Sequence, residues 1–201
     1  MTNEIEDVRA STARTLESAK PVADASIVEV SPCGRYRLET EEFGTDDGRE
    51  VVVATVQRTE DAQELATVRR NDSRCFYGWM QQGNRSFLLF PEDLEGQTVI
   101  ELATGDVAGF ASRNDPFIWT EFHASPDQQK LAVVGCYWAC PCQVTVYDFR
   151  CPMELPLPKI VEFQLPENDA QFVEWVGSAA CKILGNDGTV RLFDVPGCSD
   201  A

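Results

Sequence analysis

The segments QVTVYDF at residues 143–149 and GTVRLFDV at 188–195 decide the fold. Both read as strands, because β-branched and aromatic residues recur in short runs bounded by turn formers. Upstream, EVVVATV at 50–56 and QTVIEL at 97–102 have the same character. Val52, Thr98, Val144 and Val190 take matching places in the four segments, each 46 residues from the next. Asp148 and Asp194 also coincide, each after an aromatic residue. A second series lies ahead of these strands: SPCGRYRLE at 31–39, QQGNRSFLLF at 81–90, SPDQQKLAVVG at 125–135 and SAACKILG at 178–185. Each is a turn followed by a strand, and each follows another apolar run (IVEV, FYGWM, WTEFH or FVEWV). Asp47-Gly48, Gly83-Asn84, Gly105-Asp106 and Asp187-Gly188 break the runs as turns do. No stretch after residue 26 sustains a helical period, so the expected class is all-β.

Two parallel series with a common interval make a repeat. A unit in the mid-forties suits one antiparallel four-stranded sheet, which cannot bury both faces alone and must stack on its neighbours. Such a sheet is the blade of a β-propeller. Four blades are predicted at 26–70, 75–112, 117–166 and 170–195, forming one domain over 26–195 with tails at 1–25 and 196–201. In the first tail Ile5, Val8 and Leu16 are too sparse for a convincing amphipathic face. That leaves a weak helix, a loose tail or an added strand. The fourth blade is short of an outer strand, and part of residues 10–22 is expected to supply it beside Gly188–Val195. Otherwise the edge stays open and invites a second copy, as a homodimer or as half of a larger ring.

SPDQQKLAVVG resembles the turn and strand of WD repeats, where Ser-Pro-Asp-Gly precedes an apolar strand. NDGTVRLFDV at 186–195 is similar to the strand that names those repeats, with Phe193-Asp194 in place of Trp-Asp, and VTVYDF repeats it with Tyr147-Asp148. The resemblance implies propeller blades. Gly-His is absent from every unit and Gln128 stands where the glycine is expected, so the polar network typical of that family is not carried over. The segment GCYWACPC also resembles uncharacterised bacterial propeller-like proteins, a likeness that implies no activity.

The net charge of −16 repels nucleic-acid phosphates and anionic lipid, so neither is an expected partner. The polar, acidic N-terminus has no apolar core of a secretory signal, and no segment reaches the length of a membrane span. A cytoplasmic protein is expected, its eight cysteines remaining thiols.

Cys136, Cys140 and Cys142 fall within seven residues, and Cys151 follows the next strand. The spacing is unlike paired Cys-x-x-Cys ligands, yet strand alternation would put Cys140 and Cys142 on one face, where a partial metal site is sterically possible. The other reading is thiols packed between blades. His123, the only histidine, ends an apolar run before a turn, a place more typical of a structural hydrogen-bonder than of a catalytic base. No nucleophile elbow, phosphate loop or dinucleotide fingerprint occurs, so no cofactor is expected. Trp79, Trp119 and Trp175 are expected to wedge between sheets, while Trp138, in the CYWAC hairpin, is a candidate anchor for a partner peptide. The expected function is a non-enzymatic interaction or scaffold module with a protein partner. An enzyme or metal-binding protein, with its site at the propeller axis or the cysteine cluster, is the alternative.

Overall fold

Period-two alternation and glycine turns convert this chain into a succession of antiparallel hairpins. The computed structural model describes all residues except 1–2, 24, 72–74, 93–95, 113–116, 139, 164–169 and 199–201. Helix α1 (Ile5–Ser18) comes first. The first sheet holds β1 (Lys20–Pro21), β2 (Ile27–Val30), β3 (Tyr36–Gly44), β4 (Glu50–Arg58) and β5 (Glu64–Arg70). The second holds β6 (Gly78–Gln82), β7 (Arg85–Pro91), β8 (Gly96–Glu101) and β9 (Asp106–Ala111). The third holds β10 (Phe117–Ala124), β11 (Lys130–Tyr137), β12 (Gln143–Asp148) and β13 (Lys159–Phe163), and the fourth β14 (Gln171–Val176), β15 (Ala180–Leu184) and β16 (Val190–Asp194). Within each sheet the strands pair antiparallel, almost always with their sequence neighbours, as hairpins do. Gly48, Gly83, Gly105 and Gly188 all have φ between +57° and +83°, the left-handed conformation those four turns require. Among the described residues no helix is long and apolar enough to cross a membrane.

The sheets stack face to face in series. Leu38, Ala54, Val56 and Val68 of the first meet Leu88, Phe90 and Ile100 of the second. Phe87, Leu89 and Val99 of the second meet Phe117, Trp119, Leu131 and Tyr147 of the third. Ala132, Val134, Val144 and Val146 of the third meet Cys181 and Ile183 of the fourth. Each large side chain so enclosed contributes about 1.5–3 kcal/mol through burial. The central strands show the consequence: Phe87 through Phe90 in β7 and Leu131 through Val133 in β11 are wholly buried, because both faces of those sheets are covered.

The turns at one end of the strands add a polar seam that runs across all four sheets. Arg35 donates to Ser86 Oγ at 3.3 Å, joining the first sheet to the second. Gly83 N donates to Gln128 Oε1 at 2.8 Å, joining the second to the third. Lys130 Nζ reaches the Ser178 carbonyl at 2.6 Å, joining the third to the fourth.

Two expectations are corrected. Residues 10–22 do not complete the fourth sheet: Ile5–Ser18 is helical, and Lys20 and Pro21 pair with Gly44 and Phe43 of the first sheet. The helix buries Ile5, Thr12 and Thr15, and the two threonine hydroxyls donate to the Val8 and Ser11 carbonyls, each at 3.2 Å. Hydroxyls satisfied within the helix can be buried like small apolar groups. A face made largely of threonine escapes a search for apolar periodicity. The second correction concerns register. Val52, Val144 and Val190 lie two residues before Ala54, Val146 and Leu192, and point toward the C-terminal side of their sheets. Thr98 lies two before Ile100, which packs on the first sheet, so it points the opposite way and Val99 takes the equivalent face.

Candidate functional site

The β2–β3 turn, strands β6 and β7, and the β10–β11 turn enclose a cleft of about 380 Å³. Its floor is apolar, formed by Trp79, Met80, Phe87 and Leu102. Its rim comes from the two Ser-Pro turns, with Ser31, Pro32 and Cys33 on one side and Ser125, Pro126 and Gln128 on the other. The turns use one device: Ser31 Oγ accepts from Tyr36 N at 3.1 Å, and Ser125 Oγ accepts from Lys130 N at 3.0 Å. They differ at the left-handed position, where the first has Gly34 at φ +72° and the second Gln128 at φ +61°. A side chain there costs on the order of 1 kcal/mol or more. The amide of Gln128 offsets this by accepting the bond from Gly83. Trp79 is held from behind, outside the cleft lining: its Nε1 donates to Glu29 at 2.8 Å, and the Tyr77 hydroxyl donates to the same carboxylate. Burial, and then Glu29, push the Tyr77 phenol above its ordinary range, which keeps it a donor.

Cys33 is exposed on the rim, its Sγ 3.4 Å from Ser31 Oγ. Burial pushes its thiol up, but hydrogen bonding from Ser31 and from Arg35, with the Arg35 charge, outweighs this and brings its pKa down to about 7. Cys181, enclosed between the third and fourth sheets, is pushed up to about 11 by burial. At neutral pH about half of Cys33 is thiolate, against a few per cent for an ordinary cysteine. Its lower intrinsic nucleophilicity removes part of that advantage, leaving about fivefold faster alkylation. Iodoacetamide at neutral pH is expected to label Cys33 first, its rate rising with pH to half its plateau near pH 7. Peptide mapping after a short pulse checks this; uniform labelling of the exposed thiols would refute it.

The residues to which the sequence points lie elsewhere. Trp138 is 71% exposed at the β11–β12 hairpin, at the opposite end of the strands from the cleft, whereas Trp119 is 1% exposed. Trp79 and Trp175 are half-buried, packed against the preceding sheet. Cys136 is half-buried in β11, Cys140 exposed, Cys142 half-buried and Cys151 exposed. Cys140 and Cys142 precede β12 in the loop, so strand alternation does not align them. Among the described residues no group of three or more His, Cys, Asp or Glu side chains is placed to hold a metal ion. His123 stacks on Phe172 at 4.3 Å, and its carbonyl accepts from Trp175 Nε1 at 3.1 Å. Burial pushes its pKa down by more than nearby Glu121 raises it, so the ring packs as a neutral spacer between the third and fourth sheets. Cys33 was not singled out from the sequence; the signal available was a cysteine and an arginine flanking the glycine of SPCGR.

No protein-family model and no curated protein matches the sequence. Solved structures do. The dihydro-heme d1 dehydrogenase NirN, in complex with DHE, is 13% identical with a TM-score of 0.54, over 86% of this chain and 36% of that one. TolB from Acinetobacter baumannii is 14% identical with a TM-score of 0.40, over 86% of this chain and 43% of that one. The β-propeller domain of Myceliophteria thermophila Cps50 (Swd1) is 10% identical with a TM-score of 0.35, over 85% of this chain and 73% of that one. The chain thus spans about a third of the length of NirN. At such identities the likeness is one of fold, and the fold is all-β and propeller-like.

Proposed function

We propose that the chain is a non-enzymatic interaction module that takes an apolar side chain of a protein partner into the cleft between the turns of its first three sheets. The composition of the cleft carries this reading. Its described lining has an apolar floor, one thiol, no carboxylate and no imidazole, while Ser31, Ser86, Ser125 and Gln128 are already engaged in holding the turns. Such a cavity suits an anchor residue better than proton transfer. Trp138 offers a second anchor at the other end of the strands. The eight cysteines, none in a disulfide, support a reducing, cytoplasmic setting.

A photo-crosslinking residue placed at Pro32 tests the reading in cells that make the protein. The expected result is a discrete adduct with one partner, lost when Cys33 is first capped with a bulky maleimide and retained in Cys33→Ser under the same treatment. An adduct indifferent to the cap, or one formed only from position 138, overturns the cleft as the binding site. A second reading, an enzyme using Cys33 as nucleophile, is favoured only by the depressed pKa of that thiol.

A further inference from the structure

Three hydrophobic clusters join the four sheets in series, and among the described residues none joins the fourth sheet to the first. The stack is therefore an arc with two ends. At one end, Glu29 is turned to the second sheet by its bonds from Tyr77 and Trp79, so alternation turns Val28 and Val30 away from it. They are 55% and 51% exposed. At the other end, Cys181, Ile183 and Phe193 pack on the third sheet, which turns Val190 and Leu192 outward at 49% and 60% exposure. Val144 and Val146, 46 residues earlier, are the repeat equivalents of these two and are fully buried because a following sheet covers them. Val190 and Leu192 thus occupy positions built for a following sheet, and Val28 and Val30 lie on a face that no preceding sheet covers.

We infer that a second copy of this chain covers both ends: the fourth sheet of each copy packs on the first sheet of the other, closing an eight-bladed ring with two identical seams. The occupant follows from the repeat. Each internal seam presses the C-terminal face of one sheet on the N-terminal face of the next, and one copy of the chain presents one uncovered face of each kind. A two-fold rotation joins them twice and leaves no end open, and the resulting ring lies within the roughly four to eight blades of known propellers. Ion pairs offset part of the charge on each face: Arg37–Glu39 at 3.1 Å on the first sheet and Lys182–Glu174 at 2.6 Å on the fourth, where Asp194 adds one exposed carboxylate beside Leu192. A three-stranded face measures about 15 Å by 17 Å, so two such faces bring on the order of 500 Å² in projection to the contact, and the relief of the side chains raises this toward the roughly 800 Å² of accessible surface per partner of a stable interface.

Light scattering after size exclusion at micromolar concentration is expected to give twice the 22.4 kDa chain mass. Leu192→Asp and Val28→Asp each place carboxylates in both seams and are expected to weaken the dimer by about a hundredfold or more, with unchanged circular dichroism. Mixing the two variants restores association in part, because one of the two seams then joins two unaltered faces. A wild-type mass of one chain, open-ended oligomers, a dimer indifferent to Val28→Asp, or folded variants that fail to associate on mixing would each overturn the ring. The edge pairing expected from the sequence predicts the third of these outcomes, since β16 meeting β16 leaves Val28 uninvolved. The cleft is lined from within one copy, so its test stands or falls separately.

Discussion

Trp119→Ala is expected to lower stability by about 3–5 kcal/mol, the range for removing a large aromatic side chain from a packed core. Trp119 is 1% exposed and sits between the second and third sheets. Its ring centroid lies 5.3 Å from that of Tyr147 and 5.7 Å from that of Phe122, the latter edge-on at 76°. Its Nε1 donates to the Tyr147 hydroxyl at 3.3 Å. Truncation removes the burial of the indole, two aromatic contacts and a buried hydrogen bond together, and β-strands on both sides limit how far the void can collapse. In a chain of this size the loss corresponds to a fall in melting temperature of about 6–20 °C. Trp138→Ala is the control, since a surface truncation changes stability by about 0.5 kcal/mol or less. Thermal denaturation followed by circular dichroism reads both, and similar melting temperatures for the two variants would contradict the assigned core.

Arg9→Ala is expected to cost about 2–4 kcal/mol, through the group it leaves behind. Arg9 Nε and Nη2 donate to the two carboxylate oxygens of Glu92 at 3.3 and 3.1 Å, and the Glu92 side chain is 2% exposed. Thr98 also donates to that carboxylate, but a single hydroxyl is poor compensation for a lost guanidinium. The cost falls below that of a wholly buried pair because the Arg9 side chain is 38% exposed and water already shares its solvation. Adding Glu92→Gln to Arg9→Ala is expected to recover part of the loss, since a neutral amide is cheaper to leave in that place than an unpaired charge. Urea denaturation of the single and double variants supplies the comparison. A single-variant loss of under about 0.5 kcal/mol would mean that α1 is not clamped to the second sheet in solution.

Much of this fold could be read without coordinates. The β-branched and aromatic runs EVVVATV, RSFLLF, KLAVVG and QVTVYDF, and the glycines at 48, 83, 105 and 188, report local physics: where the chain prefers to extend and where the backbone must turn left-handed. The interval between units was equally legible, because stacking sheets of one size demands it. Reading failed where the deciding partner was remote. Thr12 and Thr15 look solvent-facing until β4, β5 and β9 are brought against the helix. Thr98 fitted the interval but faces the wrong way, since one residue of slip in the second unit reverses every side chain after it. The cleft was invisible because its walls come from three sheets, and the acidity of Cys33 depends on how the SPCGR turn folds Ser31 and Arg35 around the thiol.

Val144 and Val190 show where the line falls. Both lie in apolar, alternating strands 46 residues apart, and local pattern alone specifies the same β-strand for each. One is fully buried and the other 49% exposed. Alternation states that a face is apolar, whereas what covers it is a property of neighbours the strand does not encode. The strands and the repeat belong to the sequence; the helix that clamps the first two sheets, the cleft and the two uncovered ends arise only when the sheets are stacked, because burial is settled between segments and not within them.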